Sequence, residues 1–120
     1  MKIITRFVFA NTALLLSGSA ALAAPTYLTC ELADPAGKSQ IFNFALDTSA
    51  GTVGVYVPAS GSQRSAEGIF ASEKASLNEG SVAWEIDLAQ NTVIRDKRMV
   101  GEKDSGTCKP ISAEQSGFEE

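Results

Sequence analysis

Ser39-Gln40-Ile41-Phe42-Asn43-Phe44-Ala45-Leu46-Asp47-Thr48-Ser49-Ala50-Gly51-Thr52-Val53-Gly54-Val55-Tyr56-Val57 decides the fold. Phe42, Phe44 and Leu46 recur every second residue, with Asn43 and Asp47 facing outward, and Val53, Val55 and Val57 repeat the pattern. A period of two gives each strand one apolar face. Pairing Leu46 with Val53, Phe44 with Val55 and Phe42 with Val57 keeps both apolar faces on one side and leaves Thr48-Ser49-Ala50-Gly51 as a four-residue loop. Parity and loop length agree, as a hairpin demands.

Further strands follow on both sides. Upstream, Thr26 to Leu32 places Leu28, Cys30 and Leu32 on one face, and Asp34-Pro35-Ala36-Gly37 turns the chain because Pro presets one backbone angle and Gly admits the left-handed one. Downstream, Pro58-Ala59-Ser60-Gly61-Ser62 breaks the ladder. Gln63 to Ala71 reads as a weaker strand in which Ile69 and Phe70 compete for the inner face and Gly68 marks a bulge. Lys74 to Leu77 is short, and Val82 to Leu88 presents Val82, Trp84, Ile86 and Leu88 inward. Pairing Ile86 with Ile94 sets a three-residue loop, Ala89-Gln90-Asn91, with Asn91 left-handed, and brings Glu85 opposite Arg95 on the outer face. Gly101 to Gly106 has loop composition, Thr107 to Ile111 closes the sheet, and Ser112 to Glu120 reads as a loose acidic tail. The expected fold is all-β: an antiparallel meander of seven or eight strands in a small closed or half-closed barrel, with Phe42, Phe44, Val53, Val55, Trp84, Ile86 and Ile94 in its core.

The first 23 residues read as a signal peptide. Lys2 and Arg6 precede an apolar stretch from Phe7 to Leu16, and Ala21-Leu22-Ala23 supplies small side chains at the cut. The stretch is interrupted by Asn11, Thr12, Ser17, Gly18 and Ser19, too short a run for a stable membrane anchor. Export to the periplasm or outside the cell is expected, with a β domain over 24–111 and the tail over 112–120.

Two of the ten Lys and Arg precede residue 24 and all fourteen Asp and Glu follow it, so eight cations face fourteen anions and residues 24–120 carry a net charge of −6. Nucleic acid and anionic lipid both demand basic patches, which leaves a basic protein as the partner such a surface would steer. Cys30 and Cys108, near the two ends of that region, are expected to pair in an oxidising compartment. The competing use, a pair of metal-binding thiols, lacks its other ligands because the chain has no His.

The lack of His also removes the usual general base of nucleophilic hydrolases, and no phosphate-binding, dinucleotide-binding or calcium-binding motif is present. No cofactor or metal is expected. Glu85 and Asp87, two residues apart on one strand face, are the remaining pair for carboxylate catalysis, but an outer strand face is ordinarily just solvated. Trp84 belongs to an inward series and is expected in the core. Tyr27 and Tyr56, on outward positions, and the Ser60-Gly61-Ser62-Gln63-Arg64 loop are the surface candidates, since aromatic side chains bring large contact area at low entropic cost.

Tyr27 and Cys30 near the start of the mature region, Ser60-Gly61 midway, Trp84 further on and Cys108 near the end form a layout that resembles the bacterial periplasmic inhibitors of C-type lysozymes. The resemblance implies a small eight-stranded antiparallel barrel that inserts a Ser-Gly loop into the lysozyme cleft. The expected function is non-catalytic protein binding through Tyr27, Tyr56, Ser60, Gly61 and Arg64. A lysozyme-inhibitor-like protein and a small carrier of apolar ligands are the alternatives.

Overall fold

The computed structural model describes residues 24–118; the expected signal peptide and residues 119–120 lie outside the described residues. Eight strands follow one another: β1 (Thr26–Ala33), β2 (Ser39–Asp47), β3 (Thr52–Val57), β4 (Ser62–Ala71), β5 (Lys74–Asn78), β6 (Val82–Asp87), β7 (Thr92–Lys97) and β8 (Glu102–Ile111). Each pairs antiparallel with the next and β8 returns to β1, closing a meander barrel. The deciding hairpin has its expected register, with Leu46 opposite Val53 and Phe44 opposite Val55.

The lumen is filled by the inward side chains of all eight strands. Leu28, Leu32, Phe42, Phe44, Leu46, Val53, Val55, Leu77, Trp84, Ile86 and Val93 are buried there. Phe42 and Phe44 meet Trp84 edge to face, with ring centroids at 5.0 and 5.3 Å, a geometry that sets positive ring edges against a negative ring face. Cys30 lies directly opposite Cys108 and is bonded to it, so the closing strand pair is also covalently joined. At this seam a Cβ on Gly106 would stand 1.8 Å from the Glu31 carbonyl oxygen. Only glycine lets β1 and β8 approach so closely.

Four loops share one form. Residues 48–51, 58–61, 88–91 and 98–101 are four-residue connections that end in a left-handed residue, at Gly51, Gly61, Asn91 and Gly101. In two of them an Asp closes the turn. Asp47 Oδ1 accepts from the Ala50 N–H, and Asp87 Oδ1 accepts from the N–H groups of Ala89 and Gln90.

Several expectations are corrected. The β6–β7 loop has four residues, Leu88 to Asn91, so Ile86 faces Val93, Glu85 faces Ile94 and Trp84 faces Arg95. A one-residue shift moves a whole strand's side chains to the other face. Val93 is therefore core, Ile94 is 41 % exposed, and Arg95 points inward. Glu85 instead approaches Lys74, at 3.8 Å. Residues 102–106 belong to β8, because inward Asp104 faces Arg95 across the ladder. In β4, Phe70 packs on the core while Ile69 is exposed, and pairing runs on through Gly68 without a bulge.

The tail is not loose over its described part. Ser112 begins a short helix, α1 (Ala113–Ser116), with a capping box in which Ser112 Oγ accepts from the Gln115 N–H and the Gln115 side chain accepts from the Ser112 N–H. Phe118 then lies on the outer face of the barrel against Tyr27 and Tyr56, with ring centroids 6.1 and 5.8 Å away. This docking buries Asn43, whose Nδ2 donates to the Ser116 carbonyl at 2.9 Å.

Candidate functional site: a braced rim

In an antiparallel meander, alternate loops gather at one end. Loops 34–38, 58–61, 79–81 and 98–101 form a rim, while both ends of the described chain leave from the opposite side. The Pro58–Gly61 loop is fully exposed and held by its own backbone: the N–H groups of Ser60 and Gly61 both donate to the Val57 carbonyl, at 3.2 and 2.7 Å. The Ser62 N–H donates to Ser60 Oγ. The 98–101 loop repeats this geometry on the Lys97 carbonyl. Its tip carries Met99 and Val100, 83 % and 67 % exposed.

Side chains brace these loops to one another. Arg64 Nη2 donates to Glu79 Oε1 at 2.9 Å and Arg64 Nε to Glu79 Oε2, a two-point grip that spans the gap between β4 and the 79–81 loop. Trp84 Nε1 donates to the same carboxylate at 2.8 Å. Arg98 Nη1 reaches Asn78 Oδ1 and the Gly80 carbonyl, each at 3.2 Å. The arc from Pro58 to Gly101 is thus tied together through Arg64, Glu79 and Arg98. The hydrogen bond from Arg64 is the main reason Glu79 titrates below the usual carboxylate range, with Trp84 adding to it against the opposing effect of burial. The same bond to Glu79 raises Arg64 above its ordinary value.

Beneath the rim lies a charged ladder. Trp84, Arg95 and Asp104 stand in register across β6, β7 and β8, and Lys97 faces Glu102 one layer closer to the rim. Asp104 is fully buried; Arg95 Nε donates to its Oδ2 at 2.8 Å, the Arg95 Nη2 joins the same oxygen, and Lys97 Nζ lies 3.3 Å from Oδ1. The Arg95 guanidinium sits over the rings of Phe42 and Trp84, 4.9 and 5.4 Å from their centroids, so the charge is met by two π faces as well as a carboxylate. Lys97 is raised above its ordinary value, chiefly by its hydrogen bond to Glu102.

The expected binding residues divide into two groups. Ser60, Gly61 and Arg64 are on the rim, although Arg64 is engaged with Glu79. Tyr27 and Tyr56 are half-buried beneath Phe118. A groove lined by Tyr27, Gly54, Gln63, Arg64, Ser65 and Phe118 takes in one member of each group, Tyr27 and Arg64. Glu79, Met99 and Val100 were not singled out by sequence reasoning. A Met-Val pair in a turn, just before a glycine and just after Lys97-Arg98, was the available signal for the exposed tip.

Among the described residues, no three His, Cys, Asp or Glu side chains gather as a metal site requires. Glu85 is turned toward Lys74 and Asp87 caps the 88–91 loop. No described helix is long and apolar enough to cross a membrane. Architecturally, the chain is a disulfide-joined, eight-stranded antiparallel meander barrel. Comparison with protein-family models, curated proteins and solved structures finds no match.

Proposed function

We propose that this chain is an exported, non-catalytic protein-binding module whose contact surface is the braced rim from Pro58 to Val100. The observation that carries the reading is the exposure of Met99 and Val100 at the tip of a loop that is itself held rigid. Large apolar side chains fixed in an exposed position contribute contact area without a large ordering cost. The acidic balance of residues 24–120 favours a basic partner by steering its approach. Signal-like residues 1–23 and the Cys30–Cys108 bond support a site of action in the periplasm or outside the cell.

The carrier alternative is disfavoured by the lumen, which Phe42, Phe44 and Trp84 occupy. The lysozyme-inhibitor alternative keeps one supporting observation: Ser60-Gly61 stands at the tip of a self-closed loop on an eight-stranded barrel.

The test is a set of binding measurements on residues 24–120 against envelope proteins, with a parallel assay of hen-type lysozyme activity. Ser60→Trp and Met99→Glu are each expected to weaken a captured partner at least tenfold. Unchanged affinity in both variants removes the rim reading, and undiminished lysozyme activity removes the inhibitor alternative.

A further inference from the structure

Below the rim the barrel wall parts. β4 has ten residues and β5 five, so one strand outruns its partner. Gly68, opposite Leu77, is where the β4–β5 ladder stops, and residues 64–67 are paired on the β3 side. Main-chain groups alternate sides along a strand, and the two sides are fixed here: Gly68 donates its N–H to the Gly51 carbonyl just before β3, and the Ile69 carbonyl accepts from Ser76 of β5. Ser65, four residues before Ile69, therefore directs its N–H and its C=O into the gap, where no strand meets them among the described residues. The inward face is open as well, since Ser62 and Arg64 lie opposite buried Val57 and Val55 and are nevertheless exposed. Exposed strand edges are ordinarily closed by lysine, proline or a bulge. Arg64-Ser65-Ala66-Glu67 has none of these, and Arg64 is drawn across to Glu79.

We propose that the β4 edge centred on Ser65 receives an extended segment of a partner protein as an added strand, with small apolar side chains turned inward and basic ones outward. Each part of that chemistry comes from the gap. Ser65 presents a main-chain donor and acceptor side by side, which an incoming strand meets in register. Ala66, Leu77 and Trp84 line the cleft beside this edge, a surface suited to apolar side chains at every second position of the occupant. Glu67 faces outward and is exposed, and no cation pairs with it among the described residues. A Lys or Arg on the outward face of the added strand complements it. A second copy of the chain fits less well, because two molecules of net charge −6 repel one another and loop 79–81 stands beside the edge. The site rests on the protein-binding reading but not on the exposed loop tips.

The probe is a short acetylated and amidated peptide of alternating Lys and Val, labelled and titrated into residues 24–120. It is expected to bind, and the same peptide N-methylated at every Lys to bind at least tenfold more weakly, since methylation removes main-chain donors and keeps the charge. On the protein, Ser65→Pro removes the N–H at the open edge and Glu67→Lys reverses the outward charge; each is expected to weaken binding at least tenfold. Glu31→Lys makes the same charge change on β1 and is expected to leave binding unaltered. The N-methylated peptide needs only the unsubstituted chain, so it decides the matter even where Ser65→Pro fails to fold. The proposal is overturned if the unmodified peptide does not bind, if N-methylation leaves its affinity unchanged, if folded Ser65→Pro binds like the parent, or if Glu31→Lys weakens binding as much as Glu67→Lys. A dimer in sedimentation that Ser65→Pro dissociates also overturns it, by making a second copy the occupant. The loop tips are read separately, through Met99→Glu on a captured partner, so failure of the edge leaves the rim reading standing.

Discussion

Trp84 Nε1 and Arg64 Nη2 donate to the same oxygen of Glu79, at 2.8 and 2.9 Å. One carboxylate therefore links a side chain packed among Phe42 and Phe44 to the strand that bears the exposed rim loop. Loss of that carboxylate loosens the rim and leaves an indole N–H without its acceptor.

Glu79→Gln is expected to destabilise the barrel by about 1 kcal/mol at pH 7, a modest figure because Arg64 is substantially exposed and screened. Glu79 titrates below its ordinary value in the folded state. Its contribution is present above the unfolded value of about 4.3 and fades as pH falls through the folded one. Urea unfolding of both proteins at pH 7 and pH 3 checks this: the difference should shrink toward zero in acid, and a pH-independent difference would show that the ion pair is not its source.

Asp104→Ala is expected to cost about 3 kcal/mol, because it strands the largely buried Arg95 charge between two aromatic rings. Replacing both partners, Arg95→Met with Asp104→Leu, should restore most of that loss, since well-packed apolar side chains substitute for a buried pair. Chemical denaturation of the two variants distinguishes the cases; equal losses would mean the pair itself is strongly stabilising.

Gly106→Ala drives a methyl group into the Glu31 carbonyl at the barrel seam. A loss of about 3 kcal/mol or more is expected, at the upper end of overpacking costs because the obstacle is backbone. Thermal unfolding with the disulfide intact measures it, and a melting temperature within a degree of the parent would contradict the close approach of β1 and β8.

Replacing Cys30 and Cys108 together by Ala opens a loop of 78 residues. On the chain-entropy view this frees the unfolded state by roughly 4.5 kcal/mol, a large part of the stability of a domain this size. Thiol titration of the denatured, unreduced parent should find no free thiol, and the double variant should unfold at markedly lower urea concentration. An unchanged midpoint would refute the stabilising role.

The β2–β3 hairpin was legible because Phe42, Phe44 and Leu46 leave no doubt about which residues alternate inward. The β6–β7 hairpin was not, because Val93 and Ile94 are adjacent and either can face the core. The sequence nevertheless held a guide. Asp47-Thr48-Ser49-Ala50-Gly51-Thr52 and Asp87-Leu88-Ala89-Gln90-Asn91-Thr92 share an Asp that caps the turn and a left-handed residue before Thr, and both close four-residue loops. Matching the second to the first places Ile86 opposite Val93. The same slip concealed the charged ladder, since an arginine and an aspartate in alternating strands are ordinarily assigned to solvent. The rim brace depends on a contact between residues fifteen positions apart, Arg64 and Glu79, which strand periodicity alone does not reveal. In the tail, polar composition outweighed a capping box and one phenylalanine.

The direct opposition of Cys30 and Cys108 also has a mechanical meaning. Tension applied to the chain outside these two positions passes from one to the other through the sulfur atoms. The hairpins between them lie off the loaded path, like a coil bypassed by a shorting link. Pulling at both ends can peel away Thr26 to Thr29 and Lys109 to Ile111, with the docked tail, but the remaining loop cannot be drawn out as a thread until the covalent link is cut.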